Sequence, residues 1–110
     1  MKTYLKSPTA MNAVRERAIE KLRRLVIDAL AEHDAAVYLF GSMATGEVRH
    51  ASDIDVAILP RDELPPIFFA RLADAIEEST IPYRVDLVDL RRVTPAFRDD
   101  VVRTGVKWRD

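Results

Sequence analysis

The chain has 110 residues, 48% of them hydrophobic and 32% charged, with a formal net charge of −1 and no cysteine. This balance describes one soluble globular domain over residues 1–110. It excludes disulfide and thiolate-metal chemistry, and it supplies no overall field for direct nucleic-acid binding or for an anionic membrane. No apolar run nears the ~20 residues needed to span a bilayer, and Met1 to Ala10 carries no signal-peptide pattern, so the cytoplasm is the expected compartment.

In chain order, Ser7-Pro8 or Thr9 supplies a helix start, because a hydroxyl residue caps and proline is tolerated in the first turn. Val14, Ala18, Leu22, Leu25 and Ala29 then recur at spacings of three and four, widened by Ile19, Val26 and Leu30. That spacing predicts a long amphipathic helix. Its charged side, with Arg15, Arg17, Lys21, Arg23 and Arg24, reads as a solvated face.

Ala36 to Phe40 has the length and composition of a strand, ended by Gly41. Ser42 to Glu47 has room for one helical turn. Asp53 to Leu59 reads as a second strand, with Ile54, Val56 and Ile58 on one face and Asp53, Asp55, Ala57 and Leu59 on the other. Pro65-Pro66 opens a second helix carrying Phe69, Leu72, Ala73 and Ile76 on one side. Arg84 to Val88 is a third strand. Thr94-Pro95 starts a last helix, with Phe97 and Val101 facing inward and Gly105 as its stop. Val106 to Trp108 adds a short edge strand. Strands alternating with helices predict a small α/β or α+β layer fold.

The chemistry concentrates between the first two strands. On a strand, residues two apart share a face, so Asp53 and Asp55 point the same way. Adjacent carboxylates repel and lose hydration on burial, which costs stability unless a divalent cation lies between them. Hard oxygen ligands suit Mg²⁺. Gly41 lets the backbone approach a phosphate closely, and Ser42 at the start of a helical turn would offer backbone N–H groups and a hydroxyl to it. A third acid comes from Arg84-Val85-Asp86-Leu87-Val88-Asp89. With Val85 and Leu87 in the core, alternation selects Asp86 over Asp89, which falls at the strand end.

Gly41-Ser42, ten residues, then Asp53-x-Asp55, with a later strand aspartate, resembles the DNA polymerase β-like nucleotidyltransferase superfamily. The shortness and the run Val85-Asp86-Leu87-Val88-Asp89-Leu90, followed by Phe97-Arg98 and Gly105, look like its minimal nucleotidyltransferase (MNT) branch. The resemblance implies a small mixed β-sheet flanked by helices, two Mg²⁺ ions and ATP as donor. It implies that Asp53, Asp55 and Asp86 are the metal-binding and catalytic acids, Asp86 also helping to activate the attacking hydroxyl, and that Gly41 and Ser42 bind phosphate. Nucleotidyl transfer would then be an in-line displacement at the α-phosphorus, with pyrophosphate leaving.

The family further implies a partner. MNT proteins resemble antitoxins encoded beside a helical HEPN-domain toxin, and they act by placing AMP on a toxin tyrosine. The expected function is therefore protein adenylylation. A non-catalytic antitoxin that covers the HEPN partner is the alternative, and nucleotidylation of a small molecule ranks below both. Many relatives carry arginine close after the Gly-Ser pair, where this chain has Met43 and Thr45. Arg49, in the same loop, is the candidate substitute.

Overall fold

The computed structural model describes the backbone of residues 3–41 and 53–110 and the side chains of residues 13–41 and 54–110. The elements are α1 (Thr3–Ala29), β1 (Ala35–Phe40), β2 (Asp53–Pro60), α2 (Phe68–Glu78), β3 (Arg84–Asp89), α3 (Pro95–Thr104) and β4 (Val106–Arg109). The expected mixed α/β architecture is present. The proposed helical turn over Ser42 to Glu47 lies outside the described residues.

The four strands form one sheet in the order β3-β2-β1-β4. β1 runs antiparallel to both β2 and β4, while β2 and β3 are parallel. A parallel pair needs a crossover, and α2 provides it. Period-two alternation then gives each strand two working faces.

One face is covered by α1 and α2. Leu22, Val26 and Leu30 from α1 and Phe68, Leu72 and Ile76 from α2 pack on Val37, Leu39, Ile54, Val56 and Ile58. On the opposite face Ala36, Tyr38 and Ala57 pack with Leu90 and with Val101 of α3. The split in β2 is the one its alternation predicts. Ile54, Val56 and Ile58 go to one core, while Ala57 and Leu59 go to the other.

Several expectations need correction. α1 starts at Thr3 rather than at Ser7 to Thr9, so Pro8 lies inside it. Proline has no N–H to give, and the helix loses one bond there. Val14 is 41% exposed, because 27 helical residues reach about 40 Å and overrun strands of four to eight residues. In α2, Phe68 is buried and Ala73 is exposed, so the apolar stripe runs 68, 72, 76 at strict i+4 spacing. The prolines form the turn before it, with the Phe68 N–H donating to the Pro65 carbonyl at 2.9 Å.

The last helix begins as expected. Thr94 Oγ1 accepts from the Phe97 N–H at 3.2 Å, with Pro95 behind it. Val101 is buried, but Phe97 stays 40% exposed with its ring edge-on to Phe40 at 5.8 Å. Gly105 ends the helix at φ −72°, outside the left-handed region. Close approach explains the glycine instead, since a Cβ there would stand 2.7 Å from the Val101 carbonyl oxygen.

On the charged side of α1, Arg15 and Arg23 are half-buried and Arg17, Lys21 and Arg24 are exposed. Glu20 accepts from Arg23 Nε at 2.9 Å and from Arg24 Nε at 3.0 Å, and these bonds hold its carboxyl down at about 2. At the other end of α1, Arg109 donates to the Leu30 and His33 carbonyls at 2.7 Å each. A cation from β4 thus caps the helix C-terminus.

Candidate active site

β1 ends where β2 begins, because the two strands are antiparallel neighbours. Phe40 pairs with Asp55 in that ladder. Gly41 follows at φ +80°, a conformation that other residues rarely adopt. A Cβ built on Gly41 would stand 2.5 Å from Asp55 Oδ2. The glycine turn and the Asp55 carboxylate are therefore packed against each other, and the missing side chain makes that approach possible.

β3 supplies the next member. In the parallel ladder Asp55 is in register with Asp86, and position 53 with Arg84. Residues in register on adjacent strands share a face, with the strands about 4.8 Å apart. Asp55 is half-buried and Asp86 exposed. Position 53 lies on the same face of β2 by alternation, and its side chain is outside the described set. Ser42, Met43, Thr45 and Arg49 also lie outside the described residues.

The face carrying these positions is the one not covered by α1 and α2. Phe40, with Phe97 against it, forms an apolar wall on the β1 side of Asp55. The floor below is Ala57 and Val88.

Asp89, the rival third acid, occupies the opposite face of β3 in register with Ile58. Arg91 engages it from both side chain and backbone, at 2.9 Å from Nη2 to Oδ2 and 2.9 Å from its N–H to Oδ1. Burial pushes the Asp89 carboxyl up, but the Arg91 hydrogen bonds outweigh burial and leave it below its ordinary value. Its oxygens are committed to a local turn and face away from Asp55.

Asp55 and Asp86 suit a divalent cation on their own chemistry. Both are hard oxygen donors, both lie on one accessible face, and their like charges favour a cation between them. Among the described residues no group of three acidic or histidine side chains is assembled. The two described members of the expected acid set are these. Arg84 belongs to the same face and carries no motif of its own. Strand alternation from Asp86 is the only cue to it in the sequence.

A cavity of about 550 Å³ lies elsewhere. It lies against α1, between Arg17, Lys21 and Arg24 and the segment Thr80 to Pro82. α1 packs on the other face of the sheet, so this open groove is separate from the carboxylates.

Residues 26–107 match the family described as Polymerase beta, Nucleotidyltransferase. The chain belongs to that family. It is 38% identical over 73 residues to the probable protein adenylyltransferase MntA of Haemophilus influenzae, covering 66% of this chain and 64% of that protein. It spans just under two thirds of the length of the curated relatives it matches. Among solved structures it is similar to the MNT antitoxin complex with the tri-AMPylated HEPN toxin of Shewanella oneidensis. That likeness has a TM-score of 0.61 and 32% identity, covering 84% of this chain and 70% of the other. It is also similar to a toxin–antitoxin crystal structure with AMP-PNP, with a TM-score of 0.60 and 34% identity, covering 78% and 71%. Among the described residues no helix is long and apolar enough to cross a membrane.

Proposed function

We propose that this chain is a Mg²⁺-dependent protein adenylyltransferase that transfers AMP from ATP to a helical HEPN-domain partner, and so acts as that partner's antitoxin in the cytoplasm. The single observation that supports it most is the juxtaposition of the Gly41 turn, Asp55 and Asp86 on one open face of the sheet. A relative named protein adenylyltransferase and a similar antitoxin seen with an AMPylated HEPN toxin support the choice of acceptor. The similar complex with AMP-PNP supports the choice of donor.

In this reading the triphosphate lies against the Gly41-Ser42 turn, where the glycine permits close approach. Asp53, Asp55 and Asp86 would hold two Mg²⁺ ions. Those ions, when bound, would supply the positive charge that eases ionisation of the acceptor hydroxyl and offsets the charge of the leaving pyrophosphate. The acceptor oxygen forms a bond to the α-phosphorus while the bond to the β-phosphate bridging oxygen breaks. Pyrophosphate departs with that electron pair, and Asp86 receives the hydroxyl proton. The carboxylates hold the two reacting groups in line on one face, which contributes through positioning.

The test uses α-labelled ATP, Mg²⁺ and a helical HEPN-domain protein as acceptor. Label on the partner with the native chain, falling at least about 100-fold in Asp55→Asn and in Asp86→Asn, is the expected result. Met43 and Thr45, where many relatives carry arginine, favour one other reading, in which the chain neutralises its partner by covering it. A tight complex with no label transferred, and full neutralisation by Asp55→Asn, would establish that reading and sink adenylylation.

A further inference from the structure

Phe97 is fixed at its backbone and open at its ring. Thr94 caps its N–H, which holds the first turn of α3. Val101, one turn on, is buried in the smaller core, so Phe97 lies on the side of α3 that meets the sheet. Its ring meets Phe40 edge-on at 5.8 Å, and that contact covers only part of it. Of the described Phe, Tyr and Trp side chains, Phe97 alone is exposed. A second flat apolar group laid on the ring would remove that surface from water.

The open ring stands beside the proposed phosphate turn. Phe40 pairs with Asp55 across the ladder and immediately precedes Gly41. A triphosphate held at Gly41 leaves the base of the nucleotide one ribose away from the α-phosphate. A base has two π-faces and gains most against another ring. On the β3 flank, the side chains level with Asp55 and position 53 are Asp86 and Arg84, both charged. The floor, Ala57 and Val88, carries no ring. Among the described residues, the aromatic surface next to the turn is the Phe40–Phe97 pair on the β1 flank.

We propose that Phe97 stacks against the base of the donor nucleotide, with Phe40 supporting it through the edge-on contact. The assignment deepens the proposed function and rests on its donor half, the binding of Mg·ATP at the Gly41 turn. It divides the donor between two anchors. The turn and the acids hold the phosphates, and Phe97 orients the nucleoside, so the α-phosphorus is positioned from both ends. Stacking engages the π-face, which every base has, so Phe97 supplies affinity rather than choice among bases.

Calorimetry would measure the binding of Mg·ATP, Mg·GTP and Mg·tripolyphosphate to the native chain and to Phe97→Ala, Phe97→Leu and Phe97→Tyr. Tripolyphosphate carries the phosphates without the nucleoside. Thermal melting and complex formation with a helical HEPN-domain protein would be followed alongside. Phe97→Ala should raise the Kd for Mg·ATP and for Mg·GTP about tenfold or more, the scale of one stacked base. Its Kd for Mg·tripolyphosphate should stay within about twofold. Phe97→Tyr, which keeps a ring, should recover most of the loss, and Phe97→Leu, apolar without a ring, should recover less.

Equal weakening of ATP and tripolyphosphate would mean that Phe97 only shapes the turn, and it overturns the assignment. Native ATP affinity in Phe97→Ala overturns it too, whether that variant melts lower or loses its hold on the helical protein. Failure of the native chain to bind Mg·ATP overturns the proposed function and this assignment with it. ATP bound without AMP transfer by the native chain sinks adenylylation alone, and the affinities of Phe97→Ala still decide the assignment.

Discussion

At Gly41 two constraints meet on one residue. Its φ of +80° suits glycine, and its Cα faces Asp55 Oδ2 with no room for a methyl group. Gly41→Ala should therefore cost about 1–3 kcal/mol from the backbone alone, and it should also displace the Asp55 carboxylate. Thermal melting and AMP transfer check this together, and a variant with native stability and native transfer would refute the close approach. Asp55 and Asp86 pose the opposite problem, since they are like charges in register. Asp86→Asn should leave the chain as stable as the native one, or more so, when no divalent cation is present. Mg²⁺ with ATP at about a hundredfold over Kd should stabilise the native chain by about 2.7 kcal/mol, and the variant by much less. Melting curves with and without Mg·ATP read both effects. Strand alternation made Asp55 and Asp86 legible as open-face residues, each on its own strand, while their pairing came from the β2–β3 register. The contact of Gly41 with Asp55 was not legible, because it depends on the register between β1 and β2.

Elements end where local chemistry tells them to, and α3 shows it. Thr94→Ala removes the side-chain oxygen that accepts from the Phe97 N–H and should cost about 1 kcal/mol, read by denaturant unfolding. β3 ends on the Asp89–Arg91 turn. The folded carboxyl of Asp89 lies below its ordinary value, so its contribution is fully present above about pH 4. That contribution is lost as pH falls through the lowered value. Asp89→Asn should therefore cost about 1–2 kcal/mol at pH 7, a figure already reduced for the half-exposed Arg91, and the difference should vanish in strong acid. Unfolding at pH 7 and below pH 3 would decide it, and an equal loss at both would disprove the ion pair's role. The caps and the strand faces were readable because they depend on a few adjacent residues. The stripe of α2 was not, since Phe68, Phe69 and Ala73 all fit a helical spacing. Which of them turns inward is decided by where α1 and β2 lie. The same holds for Phe97, whose ring leans on Phe40 without being buried by it.

Across the whole molecule the sheet has two cores of unequal size. The larger, under α1 and α2, includes Leu22, Val26 and Leu30 at 0% exposure. Leu22→Ala should cost about 2–5 kcal/mol, a large share of the 5–15 kcal/mol expected of a native domain. Loss of the cooperative transition at 37 °C would fit that share, and a cost below about 1 kcal/mol would show that the core collapses around the gap. The smaller core lies under the face that carries Asp55 and Asp86 and leaves its end open, so that these carboxylates share a surface with solvent.

By itself the sequence determined the order of the elements, the two faces of β2, the cap of α3 and the opposite faces of Asp86 and Asp89 on β3. All of these follow from periodicity and from residue chemistry over a few positions. Tertiary structure alone decided the strand order and the registers that set Asp86 beside Asp55 and Arg84 level with position 53. It also decided the capping of α1 by Arg109, 79 residues after Leu30. Such pairings join segments far apart in the chain, and no local pattern encodes which of several apolar faces will meet. They emerge only when all the faces are buried at once.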